Sequence, residues 1–369
     1  MTLPRRPVGH PEVGSTGTSQ SVRPRLAAWR RPAVVALLSV SALAFNDGTG
    51  PHYADGYLSL VQGPGQGFGT VHNMFGPPEG LGPGAGGLDV YSLGVGGEVV
   101  LILEPRAFNG PGTDLVVYEN PFVLDFTEWQ VYAELLTVAV SSNGVDFARF
   151  PVDFEGEPGP YIQGSTQLPA PVTYFKGFAG VLPVSASPPG VTPFDIVAGG
   201  GDCFDLADLI NHPEVIAGNV DLDDIRYVKL TDVVAGVDTD DQGDAIWDCG
   251  FPASSAADID AVAALNSNIT GDSFRPMVEF TLNPTSQLLS LVLEDFDGLS
   301  DIKNDLSASV NGVTVPFSDL LPFFVTLSIS ATRIEFVTGP VPPAFDRMLL
   351  KVSAKDGLGR IGGDAIFIP

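Results

Sequence analysis

The sequence has 369 residues, of which 44 are acidic and 18 are basic, so its formal net charge is −26 at pH 7. A surface with this excess of negative charge repels nucleic-acid phosphates and anionic lipid headgroups, so neither is an expected partner. Hydrophobic residues make up 44% of the chain, while 43 Gly and 32 Pro supply turns. We therefore expect a folded, loop-rich protein rather than a disordered one.

The N-terminal region has the pattern of an export signal. Six Arg and a single Glu lie within residues 1–31, and an apolar run from Ala33 ends in Ala42-Leu43-Ala44, which fits an A-x-A cleavage site. We predict that residues 1–44 are a signal peptide; the alternative is an N-terminal anchor helix. Cleavage would leave 12 basic and 43 acidic residues in a chain without a membrane span. The expected location is secreted, periplasmic or at the cell surface.

Short, β-branched apolar runs separated by Gly and Pro predict strands along the mature chain. In the N-terminal two thirds, the predicted strands are residues 98–103, 114–118, 135–140, 225–230 and 261–265. Asn143-Gly144 predicts a two-residue type I′ turn between residues 138–140 and 145–147. Residues 204–210 predict a short helix, and the Gly/Pro-rich residues 63–87 predict a long surface loop.

A polar stretch at residues 266–273 predicts a domain boundary. The residues after it predict a second, smaller unit of about seven strands. Its predicted strands are residues 288–293, 325–329, 333–337, 348–352 and 365–369, with a hairpin at 310–315 around Asn311-Gly312. Many short strands with Gly/Pro turns favour an all-β chain of two β-sandwiches.

The N-terminal domain resembles a group of largely uncharacterised bacterial exported or cell-surface proteins. The matching segments are DLVVYEN at 114–120, VAVSSNGVDF at 138–147, FDLAD at 204–208, IRYVKLTD at 225–232 and DIDAVAALN at 258–266. The C-terminal domain looks like bacterial immunoglobulin-like or cadherin-like modules, through DFDGLSD at 295–301 and KDGLGR at 355–360. The resemblance implies a jelly-roll-like β-sandwich over residues 45–266, followed by a smaller immunoglobulin-like β-sandwich over residues 274–369. By analogy with carbohydrate-binding modules of that architecture, it also implies a glycan as a ligand.

Acidic residues crowd the segment from 202 to 260, which holds fourteen Asp and one Glu against Arg226 and Lys229. Such crowding is tolerated where cations bind, and Ca²⁺ takes about 6–8 oxygen ligands from irregular loops. The sequence therefore predicts bound Ca²⁺. The alternative is adaptation to a salty habitat, in which acidity serves solubility alone, but that reading favours scattered rather than clustered charge.

The sharpest candidate calcium site is the acidic turn, residues 238–244. Asp238, Asp240 and Gln242 fall at positions 1, 3 and 5 of a calcium-loop pattern, with Gly243 at position 6. Position 12 is Cys249 instead of a bidentate Glu, so we do not expect an EF-hand. We expect a calcium site in a β loop, unless the turn is only solvated. Its predicted side-chain ligands are Asp238, Asp240, Gln242, Asp244 and Asp248.

A second group of candidate ligands surrounds the predicted helix. Asp202, Asp205 and Asp208 recur at three-residue spacing, so on a helix they would share one face and repel one another. Either a cation binds Asp202 and Asp205 there, or Asp202 is the N-cap and its companions are solvated.

A third group lies at the strand ends. Asp258 and Asp260 alternate on an extended segment and face the same way, as paired ligands would. Glu119 ends a strand, where it would supply oxygen ligands to the same rim or make structural hydrogen bonds. At the predicted domain junction, calcium ligands or an ordinary turn are expected at Asp295, Asp297 and Asp301.

The two cysteines, Cys203 and Cys249, predict one disulfide in an exported chain. On the chain-entropy model, closing a loop of about 47 residues would stabilise the fold by about 4 kcal/mol. The alternative is a pair of buried free thiols.

No motif in the sequence predicts catalysis, because it contains no His-x-x-x-His zinc pattern, no Gly-x-Ser-x-Gly elbow and no P-loop lysine. The expected function is that of a noncatalytic binding or adhesion-type protein, whose calcium-stabilised loops bind a glycan or an extracellular protein. Two alternatives remain open. One is a secreted carbohydrate-active hydrolase that uses a carboxylate pair, and the other is a structural component of the envelope.

Overall fold

The structure is a computed structural model. It describes residues 52–65, 67–156, 170–185, 195–247, 256–267, 276–295, 299, 306–341, 345, 347–356 and 361–369. The chain divides into two units, Met1–Phe45 and Asn46–Pro369, and every described residue belongs to the second. Several predictions fall outside the described residues: the signal peptide, Asp248, Cys249, Asp297 and Asp301.

The described chain is all-β, as predicted, and its strands pair antiparallel. In the N-terminal part, by which we mean the described residues from 52 to 267, the strands are β1 (His52–Tyr53), β2 (Gly56–Val61), β3 (Tyr91–Ser92), β4 (Glu98–Ala107), β5 (Leu115–Tyr118), β6 (Phe122–Asp125), β7 (Gln130–Tyr132), β8 (Leu136–Ser141), β9 (Ala148–Arg149), β10 (Asp153–Phe154), β11 (Ala170–Pro171), β12 (Phe175–Lys176), β13 (Asp202–Phe204), β14 (Ile225–Asp232), β15 (Asp258–Ile259) and β16 (Ala261–Ala264). The α-helix α1 (Pro213–Ile216) and short 3₁₀ helices connect some of them.

In the C-terminal part, the described residues from 276 to 369, the strands are β17 (Met277–Asn283), β18 (Leu288–Glu294), β19 (Leu306–Val310), β20 (Val313–Pro316), β21 (Phe324–Ile329), β22 (Arg333–Pro340), β23 (Met348–Lys355) and β24 (Ile361–Ile368). They form two four-stranded sheets, with orders β17-β18-β22-β21 and β20-β19-β23-β24. Side chains from both sheets, such as Leu291 and Val352, belong to one hydrophobic cluster. This part therefore has a core of its own.

The core of the N-terminal part lies where two larger sheets contribute to one hydrophobic cluster. Their strand orders are β2-β4-β14-β8-β9 and β1-β16-β5-β13. Leu101 of β4, Val117 of β5 and Val262 of β16 all belong to this cluster. The alternate residue of β5, Val116, packs instead with Ala365 of β24 in a separate cluster. The four-stranded sheet is thus covered on both faces, which explains why β5 reads as a continuous apolar run.

The two predicted hairpin turns had different outcomes. Asn311 and Gly312 join β19 to β20 and have φ values of 51° and 85°, as a type I′ turn requires, so that prediction is confirmed. Asn143-Gly144 is not a two-residue turn, because the paired strands β8 and β9 end and begin at Ser141 and Ala148. The Asn143 side chain closes this longer loop by accepting hydrogen bonds from the N–H groups of residues 145 and 146.

Two further local predictions are wrong. Residues 204–210 are not one helix: Phe204 pairs with Leu115 as the end of β13, and a 3₁₀ helix follows over Leu206–Leu209. Residues 63–87 are not simply a surface loop, because Met74 is fully buried in the main cluster of the N-terminal part. This apolar side chain anchors the segment, which contains the 3₁₀ helix Val71–Met74.

The all-β class is confirmed, whereas the jelly-roll-like and immunoglobulin-like assignments and the boundary near residues 266–273 stay predictions. In the part of the chain that the structure describes, no helix is long and apolar enough to cross a membrane.

Candidate functional site

A cavity of about 590 Å³ lies between the N-terminal and C-terminal parts, and we call it the acidic cleft. Its aromatic lining includes Phe150, Phe204 and Phe280. The charged side chains that line it are Lys176, Asp202, Asp205, Asp208, Glu279, Lys351 and Asp364. Its volume is in the range of small-molecule sites, which are typically about 300–1,000 Å³ and mostly apolar with a few polar groups.

The strand β13 and the 3₁₀ helix after it bring the predicted Asp202, Asp205 and Asp208 to the cleft. Asp205, not Asp202, is the N-cap of that helix, and its Oδ1 accepts a hydrogen bond of 2.8 Å from the N–H of Ala207. The N-cap prediction for Asp202 is therefore wrong, because Asp202 lies three residues before the cap, in β13. The three residues do not share one helix face.

The carboxylate of Asp202 is buried and bonded to the backbone. Its Oδ2 accepts hydrogen bonds from the N–H groups of Gly180 at 2.9 Å and Val181 at 3.0 Å. Burial raises the pKa of Asp202 to about 6, and the nearby Lys351 ammonium opposes that rise. Asp202 therefore fixes the loop at residues 180–182 and faces a positive charge from β23.

Asp364 of β24 holds the opposite side of the cleft. Its Oδ2 accepts a hydrogen bond of 2.7 Å from the N–H of Phe280, and its Oδ1 accepts from the Thr113 hydroxyl at 3.1 Å. Burial raises the pKa of Asp364 to about 7, and the charge of Asp205 adds to that rise. Since Thr113 belongs to the N-terminal part, this carboxylate joins the two parts.

Three other carboxylates of the cleft are less constrained. Asp208 is exposed, and Asp205 and Glu279 are half-buried. Burial raises the pKa of Asp205 to about 6, the N–H of Ala207 opposes the rise, and the charges of Asp208 and Glu279 increase it. Burial also raises the pKa of Asp208, and the nearby Lys176 ammonium opposes that rise. Asp205 is therefore repelled by two neighbouring carboxylates, and a further positively charged group in the cleft would relieve that repulsion.

The acidic turn is built around Asp240, whose carboxylate accepts three backbone hydrogen bonds. Its Oδ1 accepts from the N–H groups of Gln242 and Asp244, both at 2.9 Å, and its Oδ2 accepts from Phe154 at 2.9 Å. Burial acts to raise the pKa of Asp240, but these N–H groups outweigh it and lower the pKa. The Asp240 carboxylate thus closes the turn through its backbone hydrogen bonds.

Among the described residues, the other predicted ligands of the acidic turn do not converge on Asp240. Oδ2 of Asp238 accepts a hydrogen bond of 2.8 Å from the N–H of Val234, while Gln242 and Asp244 are exposed. Throughout the described ranges, no group of three or more His, Cys, Asp or Glu side chains is placed so as to hold a metal ion. Bound Ca²⁺ stays a prediction, and the geometry does not favour this turn as its site.

The structure does bring Glu119 and Asp258 together. Glu119 directly follows β5, and its Oε1 accepts a hydrogen bond of 2.7 Å from the N–H of Asp258. Asp260 serves a different loop, because both of its carboxylate oxygens accept from the N–H of Glu79, at 3.2 and 3.1 Å. Glu119 and Asp258 therefore form a buried carboxylate pair that Asp260 does not share.

Cys203 has a free thiol and lines the acidic cleft. Burial raises the pKa of this thiol, which makes it a weak nucleophile at neutral pH. Its predicted partner, Cys249, lies outside the described residues. The disulfide therefore stays a prediction.

Sequence reasoning missed that buried carboxylates hold loops throughout the N-terminal part. Oδ1 of Asp232 accepts from the N–H of Ala257 and its Oδ2 from the N–H of Gly96, both at 2.7 Å. Asp114 accepts from the N–H groups of Gly110 and Leu206, both at 2.8 Å. These buried carboxyl groups hold loops through backbone hydrogen bonds, so part of the acidity of the chain has a structural role.

No family model matches this chain, and no curated protein is found to be similar to it. The resemblance to bacterial exported proteins therefore stays a prediction.

Proposed function

We propose that this is an exported, noncatalytic binding protein whose acidic cleft binds a small ligand with a positively charged amine. The observation that carries the proposal is the cavity of about 590 Å³ in which Asp205, Asp208 and Glu279 lie beside aromatic side chains. Among ligands of this kind, an amine-bearing sugar fits best, because it also agrees with the glycan ligand that the sequence predicts.

The charge of the cleft selects the ligand. Asp205, Asp208 and Glu279 raise the local density of negative charge, and their mutual repulsion contributes to the raised pKa of Asp205. An ammonium group would donate charge-assisted hydrogen bonds to these carboxylates, and such bonds are shorter and stronger than neutral ones. A negatively charged or phosphorylated ligand would be repelled.

The apolar lining selects a ring-shaped or hydrophobic ligand body. Phe150, Phe204 and Phe280 line the same cavity as the carboxylates. Aromatic faces pack favourably against the C–H surfaces of a ring and against cations. A charged amine on a compact ring would use both kinds of surface.

Binding is a better account of the cleft than hydrolysis. Glycoside hydrolysis needs two carboxyl groups that are free to protonate, attack or activate water at one bond. Two of the buried carboxylates here, Asp202 and Asp364, instead accept backbone hydrogen bonds that hold loops in place. Burial raises the pKa values of both groups and these hydrogen bonds oppose the rise. Both carboxylates are thus engaged with the backbone, and this supports the noncatalytic proposal.

Isothermal titration calorimetry of the full chain tests the proposal. The probes are a glucosamine oligosaccharide and its N-acetylated counterpart, which differ in the positive charge. We expect the amine form to bind and the affinity to fall with added salt. The double variant D208N/E279Q should bind at least about tenfold more weakly, whereas D244N, on the exposed acidic turn, should bind like the wild type. Equal binding of both sugars, or an unchanged double variant, would refute the proposal.

Export is proposed from the N-terminal pattern and needs its own test. Mass spectrometry of the protein recovered from outside the cytoplasm should find a mature chain that begins at Phe45. Recovery of a cytoplasmic chain that still begins at Met1 would contradict it.

A further inference from the structure

A second site lies at the ends of three strands in the N-terminal part. Glu119 follows β5, while Asp258 of β15 and Ser92 of β3 are directly opposite one another in an antiparallel pair. The exposed fractions of these residues are 1% for Glu119, 6% for Asp258 and 0% for Ser92. Each side chain is therefore withdrawn from bulk water.

Each of the three side chains has a buried oxygen atom without a hydrogen bond of normal geometry among the residues that the structure describes. These atoms are Oε2 of Glu119, Oδ1 of Asp258 and Oγ of Ser92. The Ser92 hydroxyl and the Asn120 side chain nevertheless lie near enough to Asp258 to oppose the rise in its pKa that burial causes. Burying a polar group without a partner is costly, and burying a charged one more so. Asp258 pairs with Ser92 across the two strands and its N–H donates to Glu119, so the three residues are neighbours, and their unpaired atoms indicate that a further group binds there.

The two buried carboxyl groups of this site would be stabilised by a nearby positive charge. Burial raises the pKa of Glu119 well above its ordinary value, and the charges of Asp258 and Asp202 raise it further. Burial also raises the pKa of Asp258, to about 6. Within the described ranges, neither Glu119 nor Asp258 forms a salt bridge that would supply the missing charge.

The backbone beside Glu119 keeps side chains out of this place. Gly180 has a φ of 84°, and a Cβ atom there would lie 3.5 Å from Oε2 of Glu119 and 2.0 Å from the carbonyl oxygen of Glu134. The second distance is a clash, so residue 180 must be glycine. The absence of a side chain at this position leaves the Glu119 oxygen open on that side.

We infer that Glu119, Asp258 and Ser92 bind a divalent metal ion, and that the ion is Ca²⁺. All three unpaired atoms are oxygens, which Ca²⁺ prefers, and Ca²⁺ accepts irregular geometry with backbone carbonyls and water as its other ligands. The site has two carboxylates and one hydroxyl, so it contains fewer than three acidic side chains. It is separate from the acidic turn and from the acidic cleft, and it does not depend on the proposed ligand.

Thermal unfolding and calorimetry with Ca²⁺ alone test the inference. The full chain, first stripped with EDTA, should gain stability and release binding heat on addition of about 1 mM Ca²⁺, a concentration typical of extracellular calcium modules. The near-isosteric double variant E119Q/D258N should bind Ca²⁺ at least about tenfold more weakly, because both ligand charges are lost. D244N should keep the full response.

A crystal structure of the wild-type chain tests the inference even if the variant does not fold. Crystals of the wild-type chain grown with Tb³⁺, which replaces Ca²⁺, should show an anomalous peak between Glu119 and Asp258. The inference is overturned if the wild type gives no binding heat and no thermal shift with Ca²⁺. It is equally overturned if D244N abolishes the calcium response or if E119Q/D258N keeps it. A third contradicting result is a wild type that does not respond to Ca²⁺ and is less stable than E119Q, which would show that Glu119 and Asp258 share a proton instead.

Discussion

The Nζ atom of Lys351 donates a hydrogen bond of 2.5 Å to the carbonyl oxygen of Gly201, and this bond joins the C-terminal part to the N-terminal part. Lys351 is only 2% exposed and also donates to the carbonyl oxygen of Ile196 at 3.3 Å. Burial raises the pKa of Asp202, and Lys351 lies close enough to oppose that rise. The two parts therefore meet through a buried, hydrogen-bonded charge, which fixes the walls of the acidic cleft.

Replacement of Lys351 by Met, which is similar in length, should lower the free energy of unfolding by about 3 kcal/mol, because it leaves the Asp202 carboxylate buried without its counter-charge. Chemical denaturation measures this loss. The double variant K351M/D202N should be less destabilised than the sum of the two single variants. Strict additivity of the two losses would show that the residues are not coupled.

Replacement of Asp240 by Ala should lower the free energy of unfolding by about 2 kcal/mol, because three backbone N–H groups lose a charged acceptor. The matched change D244A, at an exposed position of the same turn, should stay within about 0.5 kcal/mol of the wild type. Both values should be the same in EDTA and in Ca²⁺. A loss that appears only in the presence of Ca²⁺ would make Asp240 a metal ligand after all.

In the presence of EDTA, the melting temperature should fall as the pH rises from 5 to about 8.5. Burial raises the pKa of Asp114 from 3.8 to about 8, so between these values the folded state keeps a proton that the unfolded state has lost. Asp364, with a pKa of about 7, acts in the same direction. Asp240, whose pKa is lowered, has the opposite effect, but only as the pH falls below its ordinary value of 3.8.

The variant D114N is the control for this pH dependence. It removes the titrating group, so it should lose stability at pH 5 and show a shallower fall towards pH 8.5 than the wild type. A melting temperature of the wild type that rises over this range would show that the buried carboxyl groups are not protonated in the folded state.

The strands were predictable because their apolar residues lie in short runs between turn residues. Residues 225–230 alternate between the two faces of a sheet, and the structure extends them to β14. The turns were less predictable. Asn311 and Gly312 both adopt positive φ, whereas the same dipeptide at residues 143–144 lies in a longer loop that the Asn143 side chain closes by itself. Identical turn residues thus gave different loops because their side chains bonded differently.

The predicted sites were only partly recoverable, because their residues are far apart in the chain. Glu119 and Asp258 were both candidates, but Ser92 was not, since a serine in a short strand carries no signal of its own. The contribution of the C-terminal part to the acidic cleft was also missed. The charged residues that this part contributes are Glu279, Lys351 and Asp364, which are isolated in otherwise apolar segments of the sequence.

The most direct test of the central claim is a crystal structure of the full chain grown with a glucosamine oligosaccharide. The account predicts electron density for the sugar in the acidic cleft, with its ammonium nitrogen within about 3.2 Å of carboxylate oxygens of Asp208 or Glu279. Density for the sugar at another surface, or an empty cleft at a saturating concentration, would contradict it.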